Sequence, residues 1–108
     1  MTRRFGQVIR LKPEGEEEYI RLHREVWPGV KEMILECHLH NYSIYFKDNF
    51  LFAYFEYDGK DFEADMKKMA AHEETQLWWD VVKPLMEPLK TAGPDEFWAN
   101  MEEIFHLH

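Results

Sequence analysis

Apolar and polar positions alternate along residues 5–12. Phe5, Gln7, Ile9 and Leu11 fall on one face and Val8 and Arg10 on the other, the period of a β-strand that stops at Pro13. The period then changes to that of a helix. Glu14, Glu16, Glu17 and Glu18 supply the acidic first turn that the helix dipole favours, and Leu22, Val26, Val30, Met33 and Cys37 form a stripe able to dock on a sheet. Pro28 lies inside this stripe and cannot donate a backbone hydrogen bond, so the pattern predicts a kink, or a restart with Pro28 in a first turn.

Residues 38–46 read as a second strand, with His38, His40, Tyr42 and Ile44 facing one way and Leu39, Asn41, Ser43 and Tyr45 the other. Lys47, Asp48 and Asn49 make a short polar turn, and residues 50–57 return as a third strand, giving a β-hairpin that ends at Asp58 and Gly59. Phe62, Met66 and Met69 recur at helical spacing, and residues 75–86 form another helical segment interrupted by Pro84. The stretch from Pro84 to Pro94 reads as a loop and residues 103–107 as a short closing strand. The order β, α, β, β, α, β is the ferredoxin-like α+β pattern, a four-stranded antiparallel sheet with helices on one face. Leu51, Ala53, Phe55 and Tyr57 cannot share a layer with Phe50, Phe52 and Tyr54, so one of the two sets needs a partner chain or a ligand.

The chain has 108 residues, which fits one domain spanning 1–108. Its aromatic content of 16% is enough to fill a core and still line a pocket. The formal net charge of −8 argues against a nucleic-acid or anionic-membrane surface, both of which need basic patches, and favours a neutral small molecule as ligand. The lone Cys37 excludes an internal disulfide and reads as a small buried hydrophobe. With no secretory leader pattern and no apolar run long enough to span a membrane, the expected compartment is the cytoplasm.

Candidate chemistry centres on residues 18–28, where Tyr19, His23 and Trp27 recur every fourth residue. On a helix such positions lie above one another, so a tyrosine and a histidine share one wall at the edge of the apolar stripe. A histidine there is able to give and take a proton near neutral pH, although the plainer reading of a histidine beside a core stripe is a structural hydrogen bond. Trp78 and Trp79 are adjacent on a helix and point about 100° apart, so at least one is expected to line a pocket. A tryptophan face stacks well on the C–H groups of a sugar, and capping of the core is an equally good account of the pair.

Taken in order, Glu18, Tyr19, His23, Trp27 and Pro28, then residues 40–45 (HNYSIY), then Trp78 and Trp79, then a closing Ile104, Phe105, His106 and Leu107 closely resemble the L-rhamnose mutarotase family, from the first strand to the last. The resemblance implies a dimeric α+β barrel, in which two ferredoxin-like units pack sheet to sheet as a homodimer. It implies His23 as the proton donor and Tyr19, Tyr42, Trp78 and Trp79 as sugar-binding residues, with no metal or cofactor. Glu96, Phe97 and Trp98 look more like members linked to L-fucose, so the 6-deoxy sugar is L-rhamnose first and L-fucose second.

The implied reaction needs only acid–base help. O1 loses a proton, the ring oxygen gains one, the ring opens to an aldehyde and recloses on the other carbonyl face. His23 is the candidate acid–base group, and Tyr19 or Tyr42 would orient it or relay protons. Three other readings stay open. His38 and His40 share a strand face, but no zinc-type ligand set is completed around them. The barrel also resembles haem-degrading and quinol monooxygenases, which carry a helix histidine and a tryptophan in the cavity. A non-catalytic sugar-binding dimer would need no residue titrating near pH 7.

Overall fold

The computed structural model describes residues 2–108. Strand β1 (Arg3–Leu11) is followed by a 3-10 turn and by two short helices in place of one, α1 (Glu16–Arg24) and α2 (Pro28–Glu36). The break is the restart expected at Pro28, which occupies the first turn of α2, where its missing N–H is no loss. Strands β2 (Leu39–Lys47) and β3 (Phe50–Tyr57) form the hairpin. Asp48 and Asn49 both take positive φ, the turn geometry that matches strand twist and that these residue types tolerate. A second helix pair follows, α3 (Phe62–Ala71) and α4 (Glu73–Val82), and then a 3-10 turn containing Pro84.

The sheet is antiparallel in the order β2-β3-β1-β4, which is the ferredoxin-like arrangement predicted from the element order. Its fourth strand differs from the expectation. Two two-residue pieces, β4 (Met86–Glu87) and β5 (Ala99–Asn100), pair with the same edge of β1, opposite Arg10–Leu11 and Gln7–Val8 respectively. The predicted closing strand at residues 103–107 is not part of the sheet. That tail carries on past Asn100 with no paired strand of its own, anchored by Met101 N–H donating to the Gly6 carbonyl and by the Arg4–Glu103 ion pair. Residues 86–87 and 99–100 supply the pairing on this edge, and Ile104, Phe105 and Leu107 are at least 79% exposed.

A second correction concerns β2. The register slips between His40 and Ser43, and Asn41 takes a φ of 49°, so one extra residue is accommodated as a bulge. The bulge inverts the parity read from simple alternation. Leu39, opposite Tyr57, and Ile44, opposite Ala53, face the same side and pack into the core, although alternation assigned them to opposite faces.

The helices cover one face of this sheet. Ile9, Leu11 and Leu51 are essentially inaccessible beneath Tyr19, Val30, Trp78, Val82 and Met86. A second cluster of Cys37, Leu39, Phe55, Tyr57 and Met69 fills the other end of the same layer. Cys37 is a buried free thiol, pushed up by burial, and behaves as the small hydrophobe expected. Of the two competing sets on β3, Leu51, Ala53, Phe55 and Tyr57 face the helices, whereas Phe50, Phe52 and Tyr54 lie on the opposite face with Tyr45, which is 67% exposed.

Ile9→Ala removes a fully buried side chain where sheet and helices meet, and is expected to cost about 2–5 kcal/mol of unfolding free energy. Equilibrium urea denaturation of the two proteins measures this directly.

Candidate active site

The break between α1 and α2 turns the first helix pair across the start of α4, and the aromatic residues meet there. Tyr19 is buried within α1, and His23 one turn later stacks on it with ring centroids 4.0 Å apart. The imidazole also makes a T-shaped contact with Trp78 from α4, ring centroids 5.1 Å apart. Trp27, the residue before α2, meets Trp78 edge-on at 5.2 Å. The expected row of Tyr19, His23 and Trp27 is therefore not one helical stripe, since α1 ends at Arg24. It is a cluster closed by Trp78, which supplies the contact that the helix break removes.

The orientation of His23 is set by its own helix. Its Nδ1 lies 2.8 Å from the Tyr19 carbonyl. A carbonyl has no proton to give, so Nδ1 donates and the neutral ring presents an unprotonated Nε2. Burial holds the imidazole below its ordinary pKa, and the bond to the Tyr19 carbonyl opposes this only in part. Near pH 7 the ring is neutral, with one nitrogen tied down and the other able to accept. Burial also raises the Tyr19 phenol well above its usual range, with the nearby Tyr42 adding to the effect, so Tyr19 stays protonated and remains a donor.

Tyr42 comes from the bulged part of β2 and stacks on Phe55 at 5.2 Å. Burial raises its phenol pKa, and 40% of its surface remains accessible. Trp79 turns away from Trp78, packs against both core clusters and lies under the Lys83 ammonium at 4.7 Å. Trp78 is buried in the core beside His23, and Trp79 packs against both halves of the core. His38 and His40 lie apart from this cluster and turn toward Asp58, at 3.9 and 3.1 Å. Two surface clefts lie apart from His23. One, of about 610 Å³, lies on the outer side of α1 along Pro13, Ile20 and Arg24, and the other, of about 360 Å³, lies between Phe5, Phe62 and Met101.

Sequence reasoning passed over two contributions. Glu74 of α4 accepts a hydrogen bond from Gly29 N–H at 3.0 Å and joins α4 to α2 beside Trp78; its only signal in the chain is its place four residues before that tryptophan. Glu96 organises the connection between β4 and β5, accepting from Gly93 N–H and from the backbone and side chain of Asn100, which brings Phe97 and Trp98 onto the first core cluster.

Fold and cluster together define a ferredoxin-like α+β protein with a neutral, oriented histidine set in an aromatic wall. The sequence profile of the L-rhamnose mutarotase family matches residues 4–107. The chain is 36% identical to an L-rhamnose mutarotase of Ligilactobacillus salivarius, covering 99% of both sequences, and 34% identical to one of Listeria monocytogenes, covering 96% of this chain and 97% of the relative. In fold it is similar to the crystal structure of an L-rhamnose mutarotase from Formosa agariphila, with a TM-score of 0.75, 24% identity and coverage of 98% of this chain and 99% of that one. It is also similar to tetracenomycin F2 cyclase from Streptomyces glaucescens, with a TM-score of 0.73, 16% identity and coverage of 98% and 97%. The chain belongs to the L-rhamnose mutarotase family.

The lowered pKa of His23 has a consequence for stability. The unfolded imidazole titrates near its ordinary value of about 6.5, and the folded one lower, so between the two values the unfolded chain binds more protons. Stability from this group is full above about pH 6.5 and falls as the pH drops toward the folded value. In His23→Gln that fall is expected to shrink. Denaturation curves of both proteins from pH 5 to 8, with an NMR titration locating the imidazole midpoint, test the sign.

Proposed function

We propose that the chain interconverts the α and β anomers of L-rhamnose, with His23 as the group that moves the proton. The observation that carries this reading is the single free nitrogen of a neutral imidazole whose other nitrogen is committed to the Tyr19 carbonyl. Nε2 takes the proton of O1 and the resulting imidazolium returns one to the ring oxygen. The two oxygens share one carbon, so a single group reaches both. The C1–O5 bond breaks, the aldehyde turns about C1–C2, and the steps run in reverse to close the ring. Tyr19, kept protonated by burial, and the accessible Tyr42 are assigned to the sugar hydroxyls, and Trp78 and Trp79 to its apolar faces. Nothing in this sequence of proton transfers calls for a cofactor.

Membership of the family, and relatives named as L-rhamnose mutarotases, support L-rhamnose over L-fucose as substrate. Both are 6-deoxy sugars, so a niche sized for the methyl group is common to them and polar contacts discriminate. We further assign the protein to the cytoplasm as a homodimer; no helix among the described residues is long and apolar enough to cross a membrane. The exposed face bearing Tyr45 and Phe52, with the exposed Ile104, Phe105 and Leu107 of the tail, supports pairing with a second copy.

His23→Asn keeps a hydrogen-bonding side chain and removes the titrating group. Anomer exchange measured by saturation-transfer NMR is expected to fall by about 10² or more while L-rhamnose still binds. Near-wild-type exchange in the folded variant would move the proton donor elsewhere. In the same assay L-fucose is expected to be exchanged more slowly than L-rhamnose, and glucose, with a hydroxyl on C6, at close to the solvent rate. Light scattering at micromolar concentration is expected to give twice the 13.2 kDa chain mass, and a monodisperse monomer would remove the dimer from the proposal.

A further inference from the structure

Helix α2 starts without a cap of its own. Trp27 at the N-cap makes no side-chain capping hydrogen bond, Pro28 has no N–H, and the first turn carries no acidic residue. Gly29 therefore holds the first free N–H of the helix, and Glu74 Oε2 accepts it from α4 at 3.0 Å. A carboxylate at this end also opposes the positive end of the helix dipole. A Cβ at position 29 would overlap the Glu74 carboxylate where it now sits, so an alanine there requires that side chain to shift. Glu74 stands one helical turn before Trp78 on the same side of α4, and Trp27, adjoining the clamped turn, meets Trp78 edge-on. The clamp thus joins two helices at the point where Trp78 closes on His23.

We propose that Glu74 is a positioning residue for the exchange reaction: by tying the start of α2 to α4 it holds Trp78 against the His23 imidazole. The proposal rests on the reading of His23 as the proton-moving group. Without the clamp the start of α2 loses its tie to α4 at the edge of the apolar packing, Trp78 is held less closely, and the imidazole loses its fixed relation to the sugar. A misplacement on the ångström scale is enough to slow a positioned proton transfer substantially.

The test compares Glu74→Ala, Glu74→Gln and Gly29→Ala in the full chain. In Glu74→Ala, L-rhamnose exchange per folded molecule is expected to fall about tenfold or more, and the His23 NMR titration midpoint to rise toward the ordinary imidazole value. Glu74→Gln keeps an oxygen that accepts from Gly29 N–H and is expected to restore both. Gly29→Ala displaces the carboxylate from its present position with Glu74 still in place, so it is expected to lower exchange in the same direction as the alanine variant and serves if that variant does not fold. Combining Gly29→Ala with Glu74→Ala is expected to add nothing further. Wild-type exchange and an unmoved midpoint in Glu74→Ala would overturn the proposal, as would a glutamine variant as impaired as the alanine one. If the wild-type protein does not exchange L-rhamnose anomers, the functional reading fails separately, and the sugar-free midpoint still decides the role of Glu74.

Discussion

Ile9, Leu11 and Leu51 lie inaccessible on one face of the sheet, and Tyr19, Val30, Trp78 and Val82 come down on them from three helices. Burial of this layer is the constraint on which the other features depend. It fixes the height of α1 and α4 above the sheet, and so the separation of Tyr19 from Trp78. His23 is in contact with both of those rings. Buried side chains of this size each contribute about 1.5–3 kcal/mol relative to exposure, far more than any surface ion pair in the molecule. The scaffold is therefore set by apolar packing, and the chemistry is placed at the edge of that packing.

The same burial accounts for the state of the histidine. A ring packed against a tyrosine and a tryptophan loses water, which favours the neutral form, while the Tyr19 carbonyl one turn earlier holds Nδ1–H. A group held in this way is ready to accept a proton without first being deprotonated. Two proteins with the same architecture, an L-rhamnose mutarotase and a polyketide cyclase, show that the frame admits more than one chemistry. Family membership is carried by the sequence, and the proposed role of His23 by its surroundings.

Prolines divide the labour between rigidity and opening. Pro28 splits the first helix so that Trp27 leaves the α1 face yet reaches Trp78, and Pro84 ends α4 in a tight turn that delivers Met86 to the edge of β1. Between the two pieces of the fourth strand, Glu96 replaces sheet pairing with local hydrogen bonds and sets Phe97 and Trp98 on the core. This is also where the sequence looked least like the rhamnose enzymes. The divergence falls in a connection whose backbone is held by its own side chain and whose Phe97 and Trp98 pack on the core cluster that includes Tyr19 and Trp78.

The chain by itself determined the order of elements from β1 to α4, the restart at Pro28, the hairpin, the burial of Cys37 and the meeting of Tyr19 with His23. All of these follow from local periodicity, from proline's missing N–H, or from side chains four residues apart on one helix. Only the tertiary structure decided which face of β2 is buried, because the inversion rests on Asn41 taking a left-handed conformation that alternation does not record. It also decided that residues 86–87 and 99–100, and not residues 103–107, close the sheet, since two-residue strands carry no pattern and depend on the free edge of β1. The contacts of His23 with Trp78 and of Gly29 with Glu74 join residues 55 and 45 positions apart, and such pairs form only once both helices have docked on the same sheet face.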